Sequence, residues 1–262
     1  RFFTAPFLMR RVFARLPALA PRALATAPRR WGSGGADAKK VAVVLSGCGV
    51  YDGAEICESI STLIHLSAAG CDVSVFAPDK EQAHVVDHTK GVDGGPARNI
   101  MVEAARISRG SISPLDTLTP ADFDALIVPG GFGAAKNLCN HAMVAQGDAA
   151  KLVIDEHLAG ALKGFAAEGK PIGLCCIAPV LAASVLKCKV TVGQAEGDKW
   201  PYGGTVGAIL NYGGTHEEVG IDGVCIDAAA KVVTTPAYMY DGAPHEIYDS
   251  VGKMVTETLK LA

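Results

Sequence analysis

The chain has 262 residues, 49% hydrophobic and 19% charged, with 30 glycines, 14 prolines and 6% aromatics; this suits one large globular domain or two small ones, and excludes a disordered chain, a collagen and a coiled coil. No apolar run approaches the roughly 18 residues that a membrane-spanning helix requires. The net charge of −3 conceals an asymmetry: seven of the 24 basic residues and none of the 27 acidic ones lie in residues 1–36, which leaves the rest at −10 and without the clustered Lys/Arg that nucleic-acid binding needs.

Residues 1–38 are rich in Arg, Ala and Leu and pass through the run WGSGG. This is the composition of a mitochondrial transit peptide, expected to be disordered or removed, with residues 39–262 as the functional domain in the matrix. A basic nucleic-acid or lipid-binding tail is the alternative, and Pro17, Pro21 and Pro28 count against it because they would interrupt a long helix.

From residue 40 the pattern alternates. Val41–Leu45 is an unbroken apolar run ending in SGCG; Ile56, Ile60, Leu63 and Ile64 recur at helical spacing; Val73–Phe76 is a second apolar run. The same strand-then-helix order returns with Ala125–Val128 before PGGFG, a helical pattern over about Leu152–Glu168, Pro171–Leu174 before two cysteines, and a helix over Pro179–Leu186. Shorter strands are predicted at Val190–Val192, Gly223–Ile226 and Val232–Thr234, and an amphipathic helix from about His245 to Leu261. Continuous apolar strands are buried on both faces, so the predicted fold is a single α/β domain, a flavodoxin-like, doubly wound, mostly parallel sheet with helices on both faces. Ligands in such sheets sit beyond the carboxyl ends of the strands, here at Ser46–Gly53, Gly130–Gly133 and Cys175–Ala178.

The chemistry-bearing residues gather at those ends. In GLCCIAPVLA a cysteine stands where a buried strand turns sharply into a helix, and a helix N-terminus there favours the thiolate. Cys176, just before the Ile177-Ala178-Pro179 helix start, is the better nucleophile candidate than Cys175; burial of both as core thiols is the competing reading. The glycines of PGGFG let backbone approach a ligand and aim N–H groups at an oxyanion, or simply make a tight turn. In DGAEICE, Glu55 and Glu58 open the first helix; Glu58 is about 200° from Ile56, away from a core stripe of Ile56, Ile60 and Leu63, and is free for a site, although acids in a first turn are ordinary dipole partners. The run GCGVYDG departs from the dinucleotide spacing GxGxxG. Cys48 on that run is a second candidate thiol near the first. His84, Asp87 and His88 would share a face if helical, but no metal site is expected there. His245-Glu246 reads as a helix start. The eight cysteines include no CxxC pair and are expected to be free thiols.

GGFGAAKNL after a strand, the elbow GLCCIAPVLA and the early glutamates together resemble the ThiJ/PfpI superfamily of the class I glutamine amidotransferase-like fold, over essentially all of residues 40–262. The longer stretches VVLSGCGVYDGAEI, HTKG, EAARISRG, ALIVPGGFGAAKNL, CIAP and KVVTTPAYM are similar to one branch, the mitochondrial glutamine amidotransferase-like class 1 domain proteins and the bacterial enhancing-lycopene-biosynthesis glyoxalases. The resemblance implies Cys176 as elbow nucleophile, Glu58 as the glutamate whose carboxyl contacts its sulfur, and Gly131 and Ile177 as backbone oxyanion donors. It also implies a homodimer. No histidine is evident near the C-terminus to complete an amidotransferase triad, and none follows the elbow as in PfpI-type proteases, which counts against glutamine hydrolysis and peptidase activity. What the resemblance then implies is a cofactor-independent glyoxalase-like enzyme acting on a small aldehyde: Cys176 adds, Glu58 moves a proton through an enediol, and water releases the hydroxy acid. A non-catalytic thiol sensor or binding protein and a partner-dependent amidotransferase subunit are the other readings.

Overall fold

Val41, Ala42, Val43 and Val44 are completely buried, which a strand achieves only with another strand on each edge and a helical layer on each face. The computed structural model describes residues 37–144 and 147–262. The transit segment read from the sequence lies, except for Asp37 and Ala38, outside the described residues. In chain order the elements are β1 (Lys40–Val44), α1 (Ile56–Ala68), β2 (Asp72–Ala77), β3 (Val86–Asp87), β4 (Val92–Asp93), α2 (Ile100–Ile107), β5 (Ser113–Pro114), β6 (Ala125–Val128) and α3 (Phe132–Lys136). They continue with α4 (Glu156–Ala167), β7 (Ile172–Cys175), α5 (Pro179–Leu186), β8 (Lys189–Val190), α6 (Gly204–Asn211), β9 (Thr215–His216), β10 (Cys225–Asp227), β11 (Val232–Thr235) and α7 (Pro244–Leu261).

Seven strands form the main sheet in the order β10-β11-β7-β6-β1-β2-β5. All neighbours are parallel except β10, which runs antiparallel to β11 at one edge. The central order β2-β1-β6-β7-β11 is that of a flavodoxin-like sheet, whose switch point lies between β1 and β6. α7 crosses β6, β7 and β11 and packs beside α1, while α4 packs on β7 next to α5. Among the described residues no helix is long and apolar enough to cross a membrane.

Three readings of local structure need correction. On α1 the buried residues are Glu58, Ser59, Ser61, Thr62, Leu63 and Leu66, whereas Ile56, Ile60 and Ile64 are exposed. The small Ser and Thr side chains let α1 lie close to α7, where the His65 ring sits directly over Gly252; a row of isoleucines there would hold the helices apart. The segment at Val190–Val192 contributes β8, which pairs with β9 outside the main sheet. The predicted helix at Leu152 begins only at Glu156, because the Asp155 carboxylate accepts the N–H groups of His157 and Leu158 and caps it there.

Candidate active site

The loop after β1 is shaped by two buried polar side chains. The Asn137 amide donates to the carbonyls of Ser46 and Asp52, both at 2.8 Å, and its oxygen accepts Ala83 N–H at 2.9 Å. Asp52 accepts Val86 N–H at 2.7 Å. These bonds tie the loop to the end of α3 and to the β3–β4 hairpin, and bring Gly53 against Gly133. Gly131, at φ +92°, takes a conformation that favours glycine, and a Cβ there would stand 2.3 Å from Glu55 N.

Cys176 follows β7 with φ +59°, a left-handed geometry that costs a non-glycine residue of order 1 kcal/mol and is held in place here by the surrounding fold. Its N–H donates to Thr235 O at 3.1 Å. The two thiols part company at this turn. Cys175 is wholly buried and its Sγ lies 3.7 Å from Glu58 Oε2, while Cys176, 7% exposed, lines a cavity at the sheet's carboxyl edge. A Cβ on Gly130 would lie 2.5 Å from Cys176 Cβ and 2.9 Å from Glu58 Oε2, so only glycine leaves room for the thiol and the carboxyl to meet.

Glu58 is completely buried, on the inward face of α1. Its Oε2 accepts Gly130 N–H at 3.0 Å and its Oε1 accepts Tyr238 N–H at 3.2 Å. Burial, followed by the charge of Glu55, pushes its carboxyl up to about 8, so Glu58 carries a proton at neutral pH. Burial and the Glu58 charge also push the Cys176 thiol upward, against the pull of the Gly131 and Ile177 N–H groups on the sulfur. This overturns the expected lowered thiol pKa: an anion in apolar surroundings loses more hydration than two N–H donors return. Gly131 and Ile177 thus turn their N–H groups toward the Cys176 sulfur; these are the residues that the family resemblance implies as oxyanion donors.

The cavity has a volume of about 140 Å3, and Glu55, Phe132, His141, Tyr202 and Tyr238 stand on its wall with Cys176. Glu58 does not reach it. Glu55 caps α1, its Oε2 accepting Glu58 N–H at 2.7 Å, and burial raises its carboxyl above the usual range while cap N–H groups hold it back. His141 was missed by sequence reasoning. It stands 35 residues before the elbow, and its Nδ1 is 2.7 Å from the hydroxyl of Tyr212, 71 residues further on; burial lowers its pKa and keeps the imidazole neutral at pH 7. A histidine therefore shares the cavity after all, oriented by a phenol instead of a carboxylate.

The remaining candidates lie elsewhere. Cys48 is half-buried off the cavity, near the charges of Glu103, Arg106 and Asp52, and burial raises its thiol. His84, Asp87 and His88 are not helical: the segment runs into the β3–β4 hairpin, and His88 uses Nδ1 on Val86 O and Nε2 on Tyr51 N–H. His245 stands in the first turn of α7, where Glu246 accepts Ala243 N–H.

The flavodoxin-like sheet, with a cysteine at the turn after β7 beside a buried glutamate, is the architecture expected of an amidotransferase-like protein. No protein-family model matches the chain. The Homo sapiens glutamine amidotransferase-like class 1 domain-containing protein 3, mitochondrial, is 51% identical over 228 residues, 86% of this chain and 84% of that protein. The Rattus norvegicus ES1 protein homolog, mitochondrial, is 50% identical over 226 residues, 85% and 84% of the two chains. The chain belongs to this glutamine amidotransferase-like class 1 domain-containing, or ES1, family. Among solved structures, an isoprenoid biosynthesis protein with an amidotransferase-like domain from Ehrlichia chaffeensis superposes with a TM-score of 0.76 at 32% identity, over 86% of this chain and 99% of that one. A ThiJ/PfpI domain protein from Brachyspira murdochii, TM-score 0.50 at 14% identity, covering 85% and 97%, shares the fold.

Proposed function

We propose that the chain is a cofactor-independent, glyoxalase-type enzyme in which Cys176 adds to a small, uncharged aldehyde. The observation that carries the reading is the cavity over Cys176, about 140 Å3 in volume and, among the described residues, lined by no lysine or arginine. Apolar cavities of about that size take up molecules as small as benzene. Glutamine would bring an α-carboxylate for which this lining has no cation, and that argues against an amidotransferase. A thiol sensor fares less well too, since redox-sensing cysteines are accessible and low in pKa, whereas Cys176 is nearly buried with its thiol pushed up.

With methylglyoxal, the Cys176 S–H adds across the aldehyde C=O. An S–C bond forms, the carbonyl π bond is lost, and the thiol proton ends on the new hydroxyl. Gly131 and Ile177 N–H groups hold the oxygen while it is charged. A proton then moves from the first carbon to the second through an enediol, so the first is oxidised to a thioester and the second reduced to an alcohol. Water cleaves the S–C bond, which frees lactic acid and restores the thiol. Oxidation and reduction balance within the substrate, so no external oxidant is needed.

The test follows free glyoxal and methylglyoxal directly in the presence of the full chain and of its Cys176→Ala variant. Consumption by the wild type that vanishes in the variant is the expected result; no consumption by the wild type, or equal consumption by both, sinks the reading. A homodimer in the mitochondrial matrix belongs to the same proposal, supported by the family resemblance and by relatives named mitochondrial, with sedimentation and fractionation as its checks.

A further inference from the structure

We infer that Glu55, and not Glu58, is the carboxylate that takes the carbon-bound proton of the substrate once it is attached to Cys176. The inference rests on the glyoxalase-type reading and adds a residue to it. Glu58 is completely buried behind the sulfur, its two oxygens engaged by Gly130 N–H and Tyr238 N–H, and it has no place on the cavity wall. It sits beside the thiol, where it can pass a proton to or from the sulfur. Glu55 opens onto the same cavity as Cys176. The two are linked through one glycine: Gly131 directs its N–H at the Cys176 sulfur and lies against the Glu55 backbone.

The environments of the two carboxyls divide the work. Full burial keeps Glu58 protonated at neutral pH. Glu55 is part-buried; burial raises its carboxyl too, but the N–H groups of Ile56, Cys57 and Glu58 hold that rise back; an acid and a base made distinct by surroundings is how carboxyl pairs share proton transfers. In the step itself, the C–H bond of the thiohemiacetal carbon breaks and its proton goes to Glu55. The electron pair forms the enediolate π bond, with the charge on the former ketone oxygen. Glu55 returns the proton to the neighbouring carbon, and the hydroxyl proton of the first carbon moves to the oxygen of the second as the thioester carbonyl forms.

The test compares Glu55→Gln and Glu55→Asp with the wild type in methylglyoxal turnover, melting temperature and the rate of Cys176 alkylation by iodoacetamide. Gln keeps an acceptor for the Glu58 N–H, so the cap survives while the ionisable group is lost. Turnover of Glu55→Gln is expected to fall by about 10²–10⁴-fold, the usual contribution of a general base, with alkylation rate and melting temperature near wild type and partial recovery in Glu55→Asp, which keeps both a carboxylate and a good cap. Turnover of Glu55→Gln within a few-fold of wild type, or an alkylation rate that collapses with it, overturns the assignment while leaving the carbonyl reading standing. Absence of turnover in the wild type removes the carbonyl reading itself and this assignment with it.

Discussion

Glu55 and Glu58 stand one helical turn apart in different surroundings, one part-buried on the cavity wall and one fully in the protein interior. For Glu58 this has a consequence for stability. Its folded pKa of about 8 lies above the ordinary glutamate value of 4.5, so between those values the folded state holds a proton that the unfolded chain has released. Stability from this group is therefore full below about pH 4.5 and declines as pH rises toward 8, by at most about 1.4 kcal/mol per pH unit. Urea unfolding of the wild type beside Glu58→Gln at pH 5 and pH 7.5 is expected to show this decline in the wild type and its loss in the variant; parallel behaviour of the two would contradict the protonated Glu58. Cys176, Glu58 and the glycines at 130 and 131 were legible in the sequence because each sits beside a strong local signal, a strand end or a helix start. His141 and Asn137 carry no such signal: each acts on groups dozens of residues away, Tyr212 for one and the loop after β1 for the other.

Helix α1 shows how a correct period can be assigned to the wrong face. The angle of about 200° between Glu58 and Ile56 was read properly, but Glu58 stands on the buried face, beside Cys175, while the isoleucines look outward. Hydrophobicity alone marks Ile56, Ile60 and Ile64 as core; the decisive quantity is the space between α1 and α7, which only small side chains fit. Ile64→Lys, at a position 46% exposed, is therefore expected to change unfolding free energy by no more than about 0.5 kcal/mol. Leu66→Ala, at a fully buried position, should cost about 2–5 kcal/mol. Denaturant titration of the two variants decides it, and a larger loss from Ile64→Lys would restore the isoleucine stripe to the core.

At the scale of the molecule, the site exists because three strand ends far apart in sequence are neighbours in the sheet. β1, β6 and β7 lie side by side, and their outgoing loops bring residues 46–53, 130–133 and 175–178 to one edge. α7 secures that arrangement from the far end of the chain. Gly173 in the middle of β7 faces it so closely that a Cβ would lie 2.6 Å from both Met254 Sδ and Thr258 Oγ1. Gly173→Val is expected to push α7 off the sheet and destabilise the fold by about 1–3 kcal/mol. A urea midpoint unchanged in that variant would mean that α7 is free to shift.

By itself the sequence determined the α/β class, the parallel sheet, the three strand ends that meet at one sheet edge and the cysteine at the turn after β7, because unbroken apolar runs, turn glycines and a strand-to-helix cysteine act within a few residues of one another. Only the tertiary structure decided which face of α1 is buried, which of two adjacent thiols meets the cavity, that Glu55 and not Glu58 stands on its wall, and that burial raises a thiol which the helix N-terminus was expected to lower. Those outcomes depend on packing distance and on exclusion of water by segments remote in the chain, and no local pattern of residues encodes either.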